Sequence, residues 1–222
     1  MSESAQLIST RLLALDWRSL RSAALSSPWS FKLLCVYVFF EYVRPQSIYS
    51  FLAGPPWPMI SLVGAIAAFL AEGRRPRIPI ALAAALATFT AIVAISSVLA
   101  TYPDASVNEF KLYVNWLCLI ILVSGTAVTE KRWYLFITLY MLFCLKMSQH
   151  GFLSWVSRGF AFTSWGVTGG PGWFQNSGEF ALQMGMFVPV AVYFYVVVRK
   201  YLSRAKRWAF LRVIVGDNLR MH

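Results

Sequence analysis

Seven residues have the types and spacing to do chemistry: Arg44, Lys111, Lys146, His150, Arg158, Asn176 and Glu179. Four of them are cations that stand apart from the chain's basic clusters. Gathered together, they make a pocket for a phosphate or diphosphate, with arginine giving forked hydrogen bonds and lysine a point charge. Taken singly, each reaches alone to a membrane interface. Lys146 and His150 are four residues apart and share a helix face if their helix continues that far. A histidine there reads either as a general base or as a boundary residue bonded to water or a carbonyl. Asn176, Glu179 and Gln183 follow i, i+3, i+7 spacing, a polar stripe on one helix. Asn176 with Glu179 also has the spacing of a capping box. The same helix N-terminus, with its free amides, is an anion site. Glu179 otherwise serves as an acid or base, or pairs with one of the cations.

Several of these residues fall in Gly151–Met184, a stretch between two apolar runs where glycine, aromatic and polar residues concentrate. A GGPG turn spans Gly169–Gly172. Trp155, Phe160, Phe162, Trp165, Trp173 and Phe174 crowd the same stretch. They read as an interfacial aromatic belt, or as a stacking wall for sugar rings or a groove for a polyprenyl chain.

The elements that must position these residues are apolar. The chain is 58% hydrophobic and 13% charged, against roughly half and a quarter for a soluble domain. The expected fold is therefore an all-α integral membrane protein with six transmembrane helices, over Phe31–Val43, the run from the Gly54–Pro58 turn to Leu70, Pro79–Ala100, Leu112–Val128, Trp133–Met147 and Phe180–Val198. TYPDASVNEF, after the third run, is expected to be a polar loop. Residues 1–30 form a cytoplasmic amphipathic segment: Leu12, Leu13, Leu15, Trp17 and Leu20 alternate with Arg11, Arg18 and Arg21, as in a helix lying on a membrane surface. Residues 31–198 make the six-span domain, with an outside loop at about 151–178, and residues 199–222 a basic cytoplasmic tail. With both termini inside, 16 of the 20 basic residues fall on the inside, and only Arg44, Lys111, Lys146 and Arg158 fall outside.

The formal charge of +11 sits beside the apolar runs, as topology determinants do, so no nucleic-acid partner is expected. Cys35, Cys118 and Cys144 lie in apolar runs without paired spacing and read as small apolar residues. No metal or cofactor is expected, and HExxH, GxSxG and P-loop patterns are missing.

The segments FFEYVRPQSIYSFLAGPPWPMI and LKMSQHGFLSWVSRGFAFTSWGVTGGPGWFQNSGEFALQMGMFVPV resemble the O-antigen ligase/polymerase superfamily, and more closely its exosortase-associated O-glycosylation ligases. The matching features are Arg44-Pro45 after the first run, Lys146 to His150-Gly151, Gly170-Pro171, Asn176 and Pro189, within about Phe31–Val198. The resemblance implies a multi-pass protein of the bacterial inner membrane. It would move a glycan from an undecaprenyl-diphosphate carrier to an acceptor on the periplasmic side, without nucleotide sugar or metal. Arg158 and Lys146 would hold the carrier diphosphate, and the aromatic wall would face glycan or lipid. Family members carry a further periplasmic loop with a key histidine and arginine, so the chain is expected to be the N-terminal half of such a protein, with its catalytic residues unassigned. Two other readings stand beside this one. One is a non-catalytic membrane subunit that binds a lipid-linked glycan or a polysaccharide-export partner. The other is a small transporter, which the lack of an internal repeat disfavours.

Overall fold

The computed structural model describes residues 16–161, 166–167, 169 and 176–205. All regular structure among them is helical. The elements are α1 (Trp17–Leu25), α2 (Trp29–Tyr42), α3 (Pro45–Ile48), a short 3-10 turn (Ser50–Leu52), α4 (Trp57–Ala71), α5 (Ile80–Val98), α6 (Pro103–Thr126), α7 (Glu130–Ser157) and α8 (Ser177–Val198).

Among the described residues, α5, α6 and α8 are long and apolar enough to cross a membrane, with 19, 24 and 22 residues. A fourth candidate forms if α1 and the helix that follows it count as one span despite a bend of 117° between them. Helix α4 is apolar but has 15 residues, about 22 Å of rise against roughly 30 Å of hydrocarbon. Helix α7 is long enough but carries Lys146 and the charged start EKR.

Helix α2 is central. It packs most extensively on α4 and also touches α6 and α7. Leu34, Tyr37 and Val38 meet Leu62, Ala65 and Phe69 of α4 and Leu122 of α6 in one buried cluster. A second cluster joins Met141 and Cys144 of α7 to Phe187, Ala191, Phe194 and Val198 of α8. Tyr42, the last residue of α2, packs against both. Helices α7 and α8 run antiparallel: Tyr134 stacks on Phe194 at 5.5 Å, and Gln183 reaches Cys144. Helix α5 leans mainly on α6, where Thr90 and Tyr113 share a 2.8 Å hydrogen bond.

The helix ends fall into two groups. At one end the start of α2 meets the end of α4. The Ser30 backbone N–H and hydroxyl donate to the two oxygens of Glu72, at 3.1 and 2.6 Å, and Arg74 Nε donates to Glu72 at 2.6 Å. Partial burial pushes the Glu72 carboxyl upward, but the bonds from Ser30 and Arg74 outweigh it and hold the group below the ordinary glutamate range. The stabilisation linked to that contact is present at neutral pH and lost as pH falls through the depressed pKa. Arg132, in the first turn of α7, donates to the Thr126 carbonyl at the end of α6. The end of α2, the starts of α4 and α8 and the middle of α6, around Leu112–Trp116, meet toward the opposite end.

Two boundaries differ from the expectation. Most of the TYPDASVNEF loop is helical: α6 starts at Pro103, with Pro in its first turn and Asp104 close behind. A proline there loses no helical hydrogen bond, and an acid suits the positive end of the helix dipole. The loop expected at about 151–178 begins later, because Gly151 is buried inside α7 and the helix runs to Ser157. Gly159, at φ 65°, ends it. Its N–H bonds the Val156 carbonyl at 2.8 Å and the Phe160 N–H bonds that of Trp155 at 3.2 Å, the two bonds of a Schellman stop. Trp155 and Phe160 then meet edge-on at 5.0 Å.

The amphipathic segment is described from Asp16 onward. Helix α1 separates its polar and apolar faces more sharply than the longer helices do, with Trp17 and Leu25 exposed. Arg11, Leu12, Leu13 and Leu15 lie outside the described residues, as do Phe162, Trp165, Trp173, Phe174, the Gly170-Pro171 turn and the tail beyond Ala205.

Candidate functional site

The polar residues at the second end surround two adjoining clefts. One, of about 280 Å³, lies between α2, α4 and α6 and is lined by Tyr37, Glu41, Arg44, Pro58 and Asn115 among others. The other, of about 270 Å³, lies between α2, α6 and α8 and takes in Tyr42, Glu179, Leu182, Gln183 and Met186. Glu41, Leu112 and Trp116 line both.

Arg44 is placed by its backbone. It takes φ 47°, ψ 55°, a left-handed conformation outside glycine's usual preserve. The next residue is Pro45, which disfavours the right-handed helical region at the residue before it. The chain therefore breaks between α2 and α3, and the guanidinium turns back to Glu41 at 3.5 Å, one helical turn away. Both side chains are largely covered, at 25% and 15% exposure. Phe40 stacks on Trp57 at 5.6 Å nearby, which pins the start of α4 to the end of α2.

The start of α8 is built as a capped helix. Asn176 Oδ1 accepts from the Gly178 N–H at 3.0 Å, so the capping half of the expected box is present. Glu179 lines the second cleft. Gln183 lines it too, one turn deeper, so Glu179 and Gln183 of the expected polar stripe share one cavity. Gln183 is 6% exposed, and its Nε2 donates to the Tyr140 hydroxyl at 2.8 Å and to Cys144 Sγ at 3.3 Å. The reading of Cys144 as a small buried residue fits its complete burial but missed this acceptor role.

The remaining residues sit elsewhere. Lys146 and His150 do share a face of α7, and it is the exposed one, with Leu142 and Leu153. Lys111 is exposed on α6, one residue before Leu112, and donates to Asn108 Oδ1 at 3.3 Å. Arg158 is half-buried at the end of α7, where its Nε donates to the Ser154 carbonyl at 3.0 Å. Its Nη2 is buried with no hydrogen-bond partner among the described residues. Of the four cations, then, Arg44 lines a described cleft, while Lys111 and Arg158 bond within their own helices. The physical reason is local: each helix or turn offers an acceptor three or four residues away, and reaching it costs less side-chain entropy than crossing the bundle.

Sequence reasoning missed Trp116, Asn115, Tyr42 and Tyr140 as parts of this end. Spacing along α2, α6 or α7 does not reveal them, because their roles depend on which helices are neighbours.

Comparison of the chain with known family models, curated proteins and solved structures finds no match.

Proposed function

We propose that this chain is a membrane-embedded glycan ligase/polymerase-like protein that handles a glycan on an undecaprenyl-diphosphate carrier. The observation that carries the reading is Arg158. Its guanidinium sits at the end of α7, in the segment that resembles the O-antigen ligases, and keeps a buried nitrogen without a partner among the described residues. An arginine so placed has a donor to spend on a phosphoryl oxygen. Lys146 and His150, on the exposed face of the same helix, extend the positive and polar surface toward the carrier. The test is binding of a polyprenyl-diphosphate glycan to the full chain in nanodiscs. Arg158→Ala and Lys146→Ala are each expected to weaken it about tenfold, or about 1.4 kcal/mol. Unchanged binding in both variants overturns the reading.

We further infer six crossings, with both ends of the chain inside. Supporting this are the grouping of helix ends and the charge distribution. The ends of α2 and α7 and the starts of α4, α6 and α8 would lie outside, with Arg74, Arg75, Arg77, Lys131 and Arg132 inside. Helix α1, bent away from α2, would lie along the inner surface. A reporter fused after Ala161 is expected to be exposed outside and one after Arg204 inside. The reverse pattern defeats this topology.

A non-catalytic subunit of a polysaccharide-export system, or a small transporter, would use the same end of the bundle. Glycan binding without turnover, even when the rest of a ligase is supplied, favours the subunit.

A further inference from the structure

The two clefts bring both signs of charge into adjoining hollows: Arg44 on the α4 side, Glu179 on the α8 side, and Glu41 common to both. The second cleft has an apolar flank of Leu112, Trp116, Leu182 and Met186. Trp116, Leu182 and Met186 are 45%, 66% and 51% exposed, so this flank is open along α6 and α8 and not sealed by packing. Deeper in, Tyr42 and the buried amide of Gln183 give the hollow a polar lining, with the amide held in place by Tyr140 and Cys144.

This pattern selects among guests. A simple anion meets two carboxylates against one guanidinium that is already paired with Glu41. A wholly apolar guest would strip water from Glu41 and Glu179 and return nothing, which is costly near hydrocarbon. A guest that matches the charges carries a cation and an anion a few bonds apart, and the flank asks for an apolar tail.

We propose that the paired clefts bind a phospholipid whose headgroup ends in a primary ammonium. The ammonium lies between Glu41 and Glu179, where it donates charge-assisted hydrogen bonds and its charge meets the ring faces of Trp116 and Tyr42. The phosphate lies toward Arg44. One acyl chain follows Leu112, Trp116, Leu182 and Met186. The site is separate from Arg158 and Lys146 and does not depend on the glycan reading.

The test places the full chain in nanodiscs of equal parts phosphatidylethanolamine and phosphatidylglycerol and counts the lipids retained by native mass spectrometry. Phosphatidylethanolamine is expected to be retained about tenfold over phosphatidylglycerol. Glu179→Gln keeps the shape of an exposed side chain and is expected to remove most of that preference, whereas Glu130→Gln, in the first turn of α7 at the other end, leaves it intact. Phosphatidylcholine, whose ammonium has no N–H to donate, is expected to be held more weakly than phosphatidylethanolamine. Equal retention of phosphatidylethanolamine and phosphatidylglycerol overturns the proposal, as does a preference that survives both Glu179→Gln and Glu41→Gln.

Discussion

Gly125→Ala is expected to destabilise the bundle by about 1–3 kcal/mol, the usual cost of overpacking a filled core. Gly125 is buried near the end of α6, where a Cβ would run into the Phe69 ring, 2.6 Å from Cζ, and come within 3.3 Å of the Arg75 carbonyl. The ring has little freedom to move aside. Phe69 is 5% exposed and belongs to the cluster that joins α2, α4 and α6. The carbonyl belongs to the loop after α4 and moves only if the backbone does. Reversible unfolding in mixed detergent, followed by circular dichroism, measures the loss. Phe69→Leu shortens the obstructing ring, so the double variant is expected to lose less than the sum of the two single changes. Gly64→Ala is the matched contrast. Its Cβ would stand 3.5 Å from Leu33 Cδ1, an ordinary contact, and alanine suits a helix interior better than glycine by roughly 0.5–1 kcal/mol. Wild-type stability in Gly125→Ala would mean that α6 does not approach α4 as closely as described.

How much of this was legible in the sequence varied by element, for identifiable reasons. The run Pro79–Ala100 announced α5 (Ile80–Val98) almost to the residue, because it carries no charge and proline stands at its entry. The start of α6 was misread, because Pro103, Asp104 and Asn108 are turn residues by type. The same proline and acid are also helix-start signals, and there the helix prevailed. The fifth run was expected to end at Met147 and the outside loop to begin at about Gly151, yet Gly151 is a buried residue inside α7, and the stop eight residues later comes from Gly159 in a left-handed conformation. One glycine resembles another until its φ is known. At the site, i, i+4 spacing was enough to put Lys146 and His150 on one face. Nothing in the spacing revealed that the face is the exposed one, because that follows from α8 packing against Met141 and Cys144. The meeting of Arg44, Glu41 and Glu179 at adjoining clefts was equally hidden. It depends on a left-handed Arg44 and on α6 and α8 both ending up beside α2, and neither is a property of any single segment.

Gln183→Ala is expected to loosen α8 from α7 by about 2–4 kcal/mol. Two effects combine: removal of buried side-chain volume and loss of an interhelical hydrogen bond, itself worth roughly 0.6–2 kcal/mol in a membrane. The amide is the polar link in an otherwise apolar seam. From there toward the end of α8 the helices meet through Met141, Phe187, Ala191 and Phe194, contacts that give attraction but little register. By donating to both Tyr140 and Cys144, Gln183 sets where α8 stops sliding along α7. Tyr140 in turn meets Tyr42 edge-on at 5.7 Å, so the register of α8 is passed to the end of α2 that carries Glu41. A double-mutant cycle separates the bond from the volume. Gln183→Leu with Tyr140→Phe is expected to show a coupling of about 0.5–2 kcal/mol. Additive losses would mean that the amide contributes only its bulk. The same register argument predicts an effect at a distance: Gln183→Leu, which leaves both carboxylates and Arg44 in place, is expected to reduce the preference for an ammonium-headed lipid, because Glu179 rides one turn away on the helix that has lost its stop. If stability falls while lipid preference stays at the wild-type level, the cleft does not depend on how α8 is set against α7.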